Sequence, residues 1–451
     1  MSGLRFGIVG GGMLGMTLAL RLSQAGHHAT VLEAADHVGG LAAPWQLGDI
    51  VWDRHYHVTL ASDLALRALL KELDLEQDIQ WSTTRTGFYV NGKLYSLSDT
   101  LEFLRFPPLT FLQKTRLAAT IIYASRITDW RPLERVTALD WLTKLSGQKT
   151  VEAIWYPLLR AKLGANAERA SAAFIWAVIA RMYAARRSGM KREQFGYVNG
   201  GYARVLGCLE EHLRAREIDI VTSFRAQRVE SDGIGVIVTD ENGNRRHFDR
   251  AAVTVAAPLA ARLCPQLTLR ECALLRGVQY QGIICASLLT EEPISPFYVT
   301  NITDRWVPFT GIIEMTCLVD PATFGGKSLV YLPKYIPADD PAFNLSDERL
   351  QEDFLNALER MYPSFSRRKV QALRISRVRY VLPITTLNYS DSLPPIRTTV
   401  PDLYLVNSAH IVNGTLNVNE TVQLANRTAE LLLSDASAQS LKVSDESRAI
   451  A

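Results

Sequence analysis

The run Gly10-Gly11-Gly12-Met13-Leu14-Gly15 fits G-x-G-x-x-G, a spacing whose chemistry is the binding of a diphosphate. Gly10 permits a tight turn, Gly12 lets a pyrophosphate approach the backbone, and Gly15 lets a helix pack closely on a strand. Met13 and Leu14 stand where a helix N-terminus offers free N–H groups and partial positive charge to an anion. Glu33 closes the next predicted strand, where a carboxylate accepts hydrogen bonds from an adenosine ribose and repels a 2′-phosphate. The pattern points to an adenine dinucleotide and away from an NADP-type ligand. A glycine-rich turn that binds nothing would explain the hexapeptide alone. It does not explain a strand, a helix and an acid in register around it.

A second reactive segment is Trp52-Asp53-Arg54-His55-Tyr56-His57. If it is a strand, Asp53, His55 and His57 share one face. A histidine there takes or gives a proton near neutral pH, which makes His55 and His57, with Arg54 just before them, the candidate catalytic groups. The bland alternative is a polar strand face. Arg160 and Lys162 sit in an apolar stretch and are read as a solvated helix face, with contact to an acidic substrate as the alternative. The group Arg181, Arg186, Arg187, Lys191 and Arg192 is read as surface, and Tyr389 and Arg397 as possible borders of a substrate cavity. No His, Cys and Asp grouping has metal-ligand spacing, and neither a G-x-S-x-G nor a P-loop occurs.

The elements that must carry these residues follow from periodicity. Residues 5–9 read as a buried strand, 13–25 as a helix stopped by Gly26, and 29–33 as the next strand, together a βαβ unit. Residues 61–194 read as largely helical, with helices at 64–72, 139–145 and 171–187. A helix at 203–214 precedes strands at 218–221, 226–230 and 235–239, and 241–244 is a hairpin turn. Further strands are expected at 253–257, 283–289, 328–332 and 403–406, and helices at 347–361 and 419–433. Residues 434–451 are polar and Ser-rich and are expected to be disordered.

Composition bounds the rest. With 451 residues, 47% hydrophobic and 21% charged, the chain is an ordinary globular one. A net charge of only +3 gives no argument for nucleic acid. Five cysteines without a C-x-x-C pair fit a reducing, cytoplasmic setting better than a disulfide framework. The small-residue run at the N-terminus is broken by Gly10-Gly11-Gly12 and so does not read as a signal peptide. Residues 101–126 mix Phe103, Leu104, Phe106, Phe111 and Leu112 with Arg105, Lys114, Arg116 and Arg126. The favoured reading is two core-facing helices around Pro107-Pro108; the other is peripheral contact with the inner face of a membrane.

Glu33-Ala34-Ala35-Asp36-His37-Val38-Gly39-Gly40 resembles the extended fingerprint of two-domain flavoproteins, the superfamily of FAD-dependent amine oxidases, protoporphyrinogen oxidases and phytoene desaturases. The resemblance implies FAD. It places Ala34, Gly39, Gly40 and Leu41 along the dinucleotide, with Leu41 where the family usually has Arg, and Arg54 where it often has Gly. Tyr197-Val198-Asn199-Gly200-Gly201-Tyr202 looks like the family's Gly-Gly-then-helix element. Val229 would set backbone groups against the adenine. Asn407 stands where the second flavin motif usually has Gly-Asp, and Val418 would open the last helix beside the flavin.

The implied architecture is α/β. A discontinuous Rossmann-like FAD-binding domain (1–60, 195–260 and 395–433) is joined to a mixed α+β substrate domain with a helical insertion (61–194 and 261–394). The implied reaction is hydride transfer from a C–H bond of a hydrophobic or ring-containing small molecule to flavin N5. The alternatives are a non-redox flavoenzyme resembling UDP-galactopyranose mutases and a non-catalytic dinucleotide-binding protein. Oligomeric state is not legible.

Overall fold

The computed structural model describes residues 3–186, 194–412 and 415–450. Arg5–Val9 pairs in parallel with His28–Leu32 on one side and with Arg250–Val253 on the other; Asp219–Val221 and Leu403–Leu405 complete the five-stranded sheet. Helices cover one face, and the three-stranded sheet of residues 226–248 with helix Ala257–Leu263 covers the other, which is why these strands read as short apolar runs without alternation. Helix Met13–Gln24 buries Leu18, Leu20 and Leu22 completely and packs against helix Gly201–Arg214 and the terminal helix Val418–Ile450.

A second sheet of seven strands is built round Tyr280–Thr290, buried at every residue and flanked by Ser328–Pro337 and Val370–Pro383. Its far edge corrects the helical reading of 61–194. Thr86–Val90 and Lys93–Ser96 are its edge strands, and Ile79–Thr83 is a strand that pairs separately with Gln194–Val198. The signal was present: aromatic and β-branched residues flank Asn91-Gly92, which turns with φ of 51° and 73° while the Asp304 carboxylate accepts both amides.

Two further expectations shift. The strand expected at 253–257 is Arg250–Val253, and Pro258 lies in the first turn of helix Ala257–Leu263 rather than closing a strand. Proline is at home in a first turn because the N–H it lacks has no partner there. The terminal helix does not stop at Leu433 but runs to Ile450, where a disordered tail was expected. No Pro or Gly interrupts this stretch, and Asp435 anchors it. Its carboxylate accepts from Arg397 Nε (2.7 Å) and Nη2 (2.8 Å) and from the Tyr404 hydroxyl (3.0 Å). The fully buried Arg250 guanidinium donates to the Leu432 and Asp435 carbonyls, both at 3.2 Å.

Asp435→Ala is expected to cost about 1 kcal/mol of stability at neutral pH. The Arg397 guanidinium holds the Asp435 carboxyl below the ordinary aspartate range. Its contribution is therefore complete above that range and vanishes as pH falls through the lowered value. Thermal unfolding of wild type and variant across acid pH should show the gap between them closing.

Candidate functional site

Gly10 turns the chain with φ 117° and donates its N–H to the Leu32 carbonyl at 2.9 Å. A Cβ on Gly15 would stand 2.0 Å from the Gly10 carbonyl oxygen, so only glycine lets the helix start this close to the strand. Gly12 N-caps that helix. No side chain caps it and no acid lies in its first turn, so the first-turn N–H groups, Met13 and Leu14 included, have no side-chain acceptor. A Cβ built on Gly12 would meet only the Gly40 Cα, at 4.0 Å. Gly40 is solvent-exposed with φ 56°, and Gly39 donates to the Gly11 carbonyl at 2.8 Å. Two glycine turns thus meet backbone to backbone and leave a shallow cradle over Gly12.

Glu33 borders that cradle. Its Oε2 accepts the Gly11 amide (2.6 Å) and its Oε1 the Ala35 amide (2.9 Å), which fixes the carboxylate and leaves lone pairs for a further donor. Ala34 beside it is exposed. The Phe224 and Ser223 amides donate to the Glu33 and Ala35 carbonyls (2.8 and 2.7 Å), which brings strand Ala226–Ser231 alongside. Val229 itself is fully buried with Val9 and Leu32, and its backbone faces Val238 in a hairpin.

The Trp52–His57 segment is not one strand. Strand Ile50–Asp53 ends at Asp53, so the shared face expected for His55 and His57 does not form. His55 is buried between the Leu41 carbonyl (Nδ1, 3.3 Å) and the Ser376 hydroxyl (Nε2, 3.0 Å). Burial, with Arg54 and His57 nearby, lowers its pKa to about 3, so proton exchange near neutral pH is overturned for His55. His57 has different surroundings. Its Nδ1 is buried without a hydrogen-bond partner, 3.6 Å from Asp53 Oδ2, and its ring centre is 4.8 Å from that of Tyr202. It lines a cavity with Trp52, Asp53, Tyr197 and Tyr202. Asp53 in turn accepts the Tyr202 amide at 2.7 Å, a contact that requires Gly201, since a Cβ there would lie 2.9 Å from Asp53 Oδ1.

Arg54 reaches back across the glycine turn. Its Nη2 donates to the Gly40 carbonyl at 2.7 Å, while its Nε is buried and unpartnered. Desolvation lowers its pKa. Among the described residues no carboxylate pairs with this cation.

Asn407 is buried, and its Oδ1 accepts the Ala409 amide at 3.0 Å. His410 Nε2 donates to the Pro394 carbonyl (3.0 Å), leaving Nδ1 to accept the Asn407 N–H (3.2 Å). Asn407 Nδ2 is left buried with no partner. Asn413 and Gly414 lie outside the described residues; Val418 opens the terminal helix.

Some groups escaped the sequence reading. The hydroxyls of Tyr56 and Tyr335 lie 2.8 Å apart, and the Lys162 ammonium sits 4.7 Å from the Tyr335 ring centre, so Lys162 is not on a solvated face. Both tyrosines are half-buried, and desolvation holds the Tyr56 hydroxyl well above its ordinary pKa. Gln281 is fully buried with both ends of its amide unpartnered. A lone Gln in the otherwise apolar 280–289 run was the visible signal. Arg160 is exposed as expected, whereas Arg181 pairs with the buried Asp63 at 3.0 Å rather than lying free on the surface. Arg187, Lys191 and Arg192 lie outside the described residues, and Arg186 ends helix Ala172–Arg186. Tyr389 is buried with its hydroxyl on the Ala409 carbonyl (2.9 Å), and Arg397 clamps Asp435; neither is a free polar border to a cavity. No metal-binding group of side chains occurs among the described residues.

A dinucleotide fits these residues: an open glycine cradle, a fixed carboxylate, and two buried donors, on Arg54 and Asn407, that lack acceptors. Such a loop on a parallel sheet, joined to a second mixed sheet, defines a flavin-dependent oxidoreductase. The chain belongs to the family of flavin-containing amine oxidoreductases, whose model matches residues 14–433, and it is an FAD-dependent enzyme of that family. It is similar to the 15-cis-phytoene desaturase of Synechococcus elongatus, 33% identical over 81 residues, which is 18% of this chain and 17% of that protein. The chain matches less than half the length of each such relative. A structure from Exiguobacterium sp. 255-15, provisionally assigned as a protoporphyrinogen oxidase, shares the fold at TM-score 0.75 and 19% identity, covering 96% of this chain and 99% of that one. A reduced UDP-galactopyranose mutase does so at TM-score 0.72 and 14% identity, covering 96% of each.

His55 is neutral when folded and titrates at its ordinary value when unfolded. Stability is therefore complete above about 6.5 and falls as pH drops from there toward about 3. His55→Gln is expected to flatten the thermal midpoint over that window, as measured by unfolding scans at stepped pH.

Proposed function

We propose that the chain takes a hydride from a C–H bond of a hydrophobic or ring-containing small molecule, with FAD as acceptor. When bound, FAD supplies the electron-accepting N5 position. The chain's own residues bind, orient and exclude water. The first-turn amides after Gly12 and the Arg54 guanidinium hold the diphosphate, and Glu33 accepts from the ribose. Asn407 Nδ2 donates to the ribityl or phosphate end. The observation that carries this reading is the buried Arg54 Nε without an acceptor, poised at the Gly40 carbonyl beside Gly12. Arg54 then serves the cofactor rather than the substrate. It supplies, from just past the end of strand Ile50–Asp53, the cation that Leu41 does not.

The substrate end is assigned to the tyrosine pair Tyr56 and Tyr335. Two aromatic rings joined through their hydroxyls present apolar faces, and the unpartnered Gln281 amide offers one polar anchor in the same sheet. His55 holds the loop at Leu41 to the sheet at Ser376 and moves no proton. His57, on its cavity with a free Nδ1, is the group that accepts one.

Stripped of flavin and retitrated, Arg54→Ala should bind FAD about 10- to 100-fold more weakly, the equivalent of about 1.5–3 kcal/mol for a hydrogen bond to a charged group. Arg54→Lys should recover only part, having lost the planar fork. Unchanged affinity in Arg54→Ala would remove the assignment. For the reaction itself, anaerobic mixing with ring compounds, amines and isoprenoids should bleach the flavin band near about 450 nm. Turnover of a nucleotide-sugar that requires reduced flavin yet consumes no reductant would favour a mutase instead.

A further inference from the structure

Helices Thr100–Arg105 and Phe111–Ala124 form a hairpin over Pro107 and Pro108. Their inner side is fixed to the core by Phe106 and Leu109, 1% and 3% exposed, and by Lys114, whose buried Nζ donates to the Leu104 carbonyl at 2.7 Å. The outer side breaks the usual rule. A surface helix shows polar residues to water, but here the face opposite the core carries Phe111, Leu112, Ile122 and Tyr123, exposed by 74%, 66%, 43% and 52%. Leu101 and Leu104 extend it at 55% and 50%. The other exposed large apolar residues of the described chain are scattered. An apolar patch of this kind marks an interaction surface.

Its charges say what it meets. From Thr100 to Arg126 the chain has four cations, Arg105, Lys114, Arg116 and Arg126, against the single acid Glu102. That excess equals the net +3 of all 451 residues, so the remainder of the chain is neutral overall. Glu102 is consumed by Arg85 and by the Ser96 and Ser98 donors. Arg105, Arg116 and Arg126 are exposed and form no ion pair among the described residues. Apolar side chains interleaved with unpaired arginines along one helical hairpin and its end match an anionic lipid surface: the rings and leucines enter the acyl boundary and the guanidiniums meet headgroup phosphates. A helix lying in the interface suffices, since no helix among the described residues is long and apolar enough to cross a membrane.

We infer that the outer face of the Thr100–Ala124 hairpin docks the protein on an anionic bilayer. This goes beyond the flavin chemistry and does not rest on it. The test is flotation of the flavin-loaded full chain with vesicles. At low salt the protein should float with equimolar phosphatidylcholine and phosphatidylglycerol, and far less with phosphatidylcholine alone. Phe111→Ser with Leu112→Ser should reduce binding about tenfold with the thermal midpoint and flavin spectrum unchanged. Ile122→Ser with Tyr123→Ser should do the same independently. Arg105→Glu with Arg116→Glu should abolish the preference for anionic lipid. A wild type that stays in the lower fraction with anionic vesicles, or serine variants that float as well as wild type, would overturn the inference. So would a lipid-free dimer, seen by sedimentation, that the Phe111 and Leu112 changes dissociate, since the face would then belong to a second copy.

Discussion

The close approach of two backbones at Gly11–Gly12 and Gly39–Gly40 governs the rest of the molecule. The Gly39 N–H to Gly11 carbonyl bond, at 2.8 Å, ties the loop after the second strand to the turn after the first. A side chain at Gly15 would collide with Gly10, and one at Gly39 would lie 2.5 Å from Leu206. Glycine is required at both points, by sterics at Gly15 and by sterics and a left-handed φ of 109° at Gly39. Once the turns are locked together, Glu33, Arg54 and the helix N-terminus converge on one shallow space without further adjustment.

The contrast between the buried Arg250 and the half-buried Arg54 separates structure from function. Arg250 is fully enclosed and surrounded by acceptors: the Leu432 and Asp435 carbonyls, and Asp402 at 3.3 Å. Arg54 has the Gly40 carbonyl and an empty Nε. Desolvating a guanidinium without satisfying it is costly, so its retention at the glycine cradle implies an acceptor that the chain does not provide. Asn407 Nδ2 poses the same question at the other end of the site.

What was legible in the sequence was local. The glycine spacing, the acid at Glu33 and the helix and strand it lies between depend on neighbours in the chain, and they fall where periodicity put them. The helix at 347–361 was legible for the same reason, with apolar residues spaced on one face. What failed was set by distant partners. His55 was chosen for its type, but burial against the second sheet, where it meets the Ser376 hydroxyl, lowers its pKa. The helix beyond Leu433 looks disordered by composition and is held by Arg397, Tyr404 and Arg250. The strands at 79–96 were the avoidable miss, since Asn91-Gly92 announces a hairpin.

The central sheet interleaves the two ends of the polypeptide. Arg5 bonds Asp249 across 244 positions, and the edge strand Leu403–Leu405 arrives only near the end. During synthesis, the glycine turn emerges from the ribosome long before the strands that flank it. The nascent N-terminal unit therefore waits with an exposed apolar sheet edge. With so many contacts between remote segments, folding is expected to be slow, and a chain cut short before the last helix would lack the Leu432 and Asp435 acceptors that clamp Arg250. The clamp on Arg250 can therefore close only after strand Leu403–Leu405 and the helix that follows have joined the sheet.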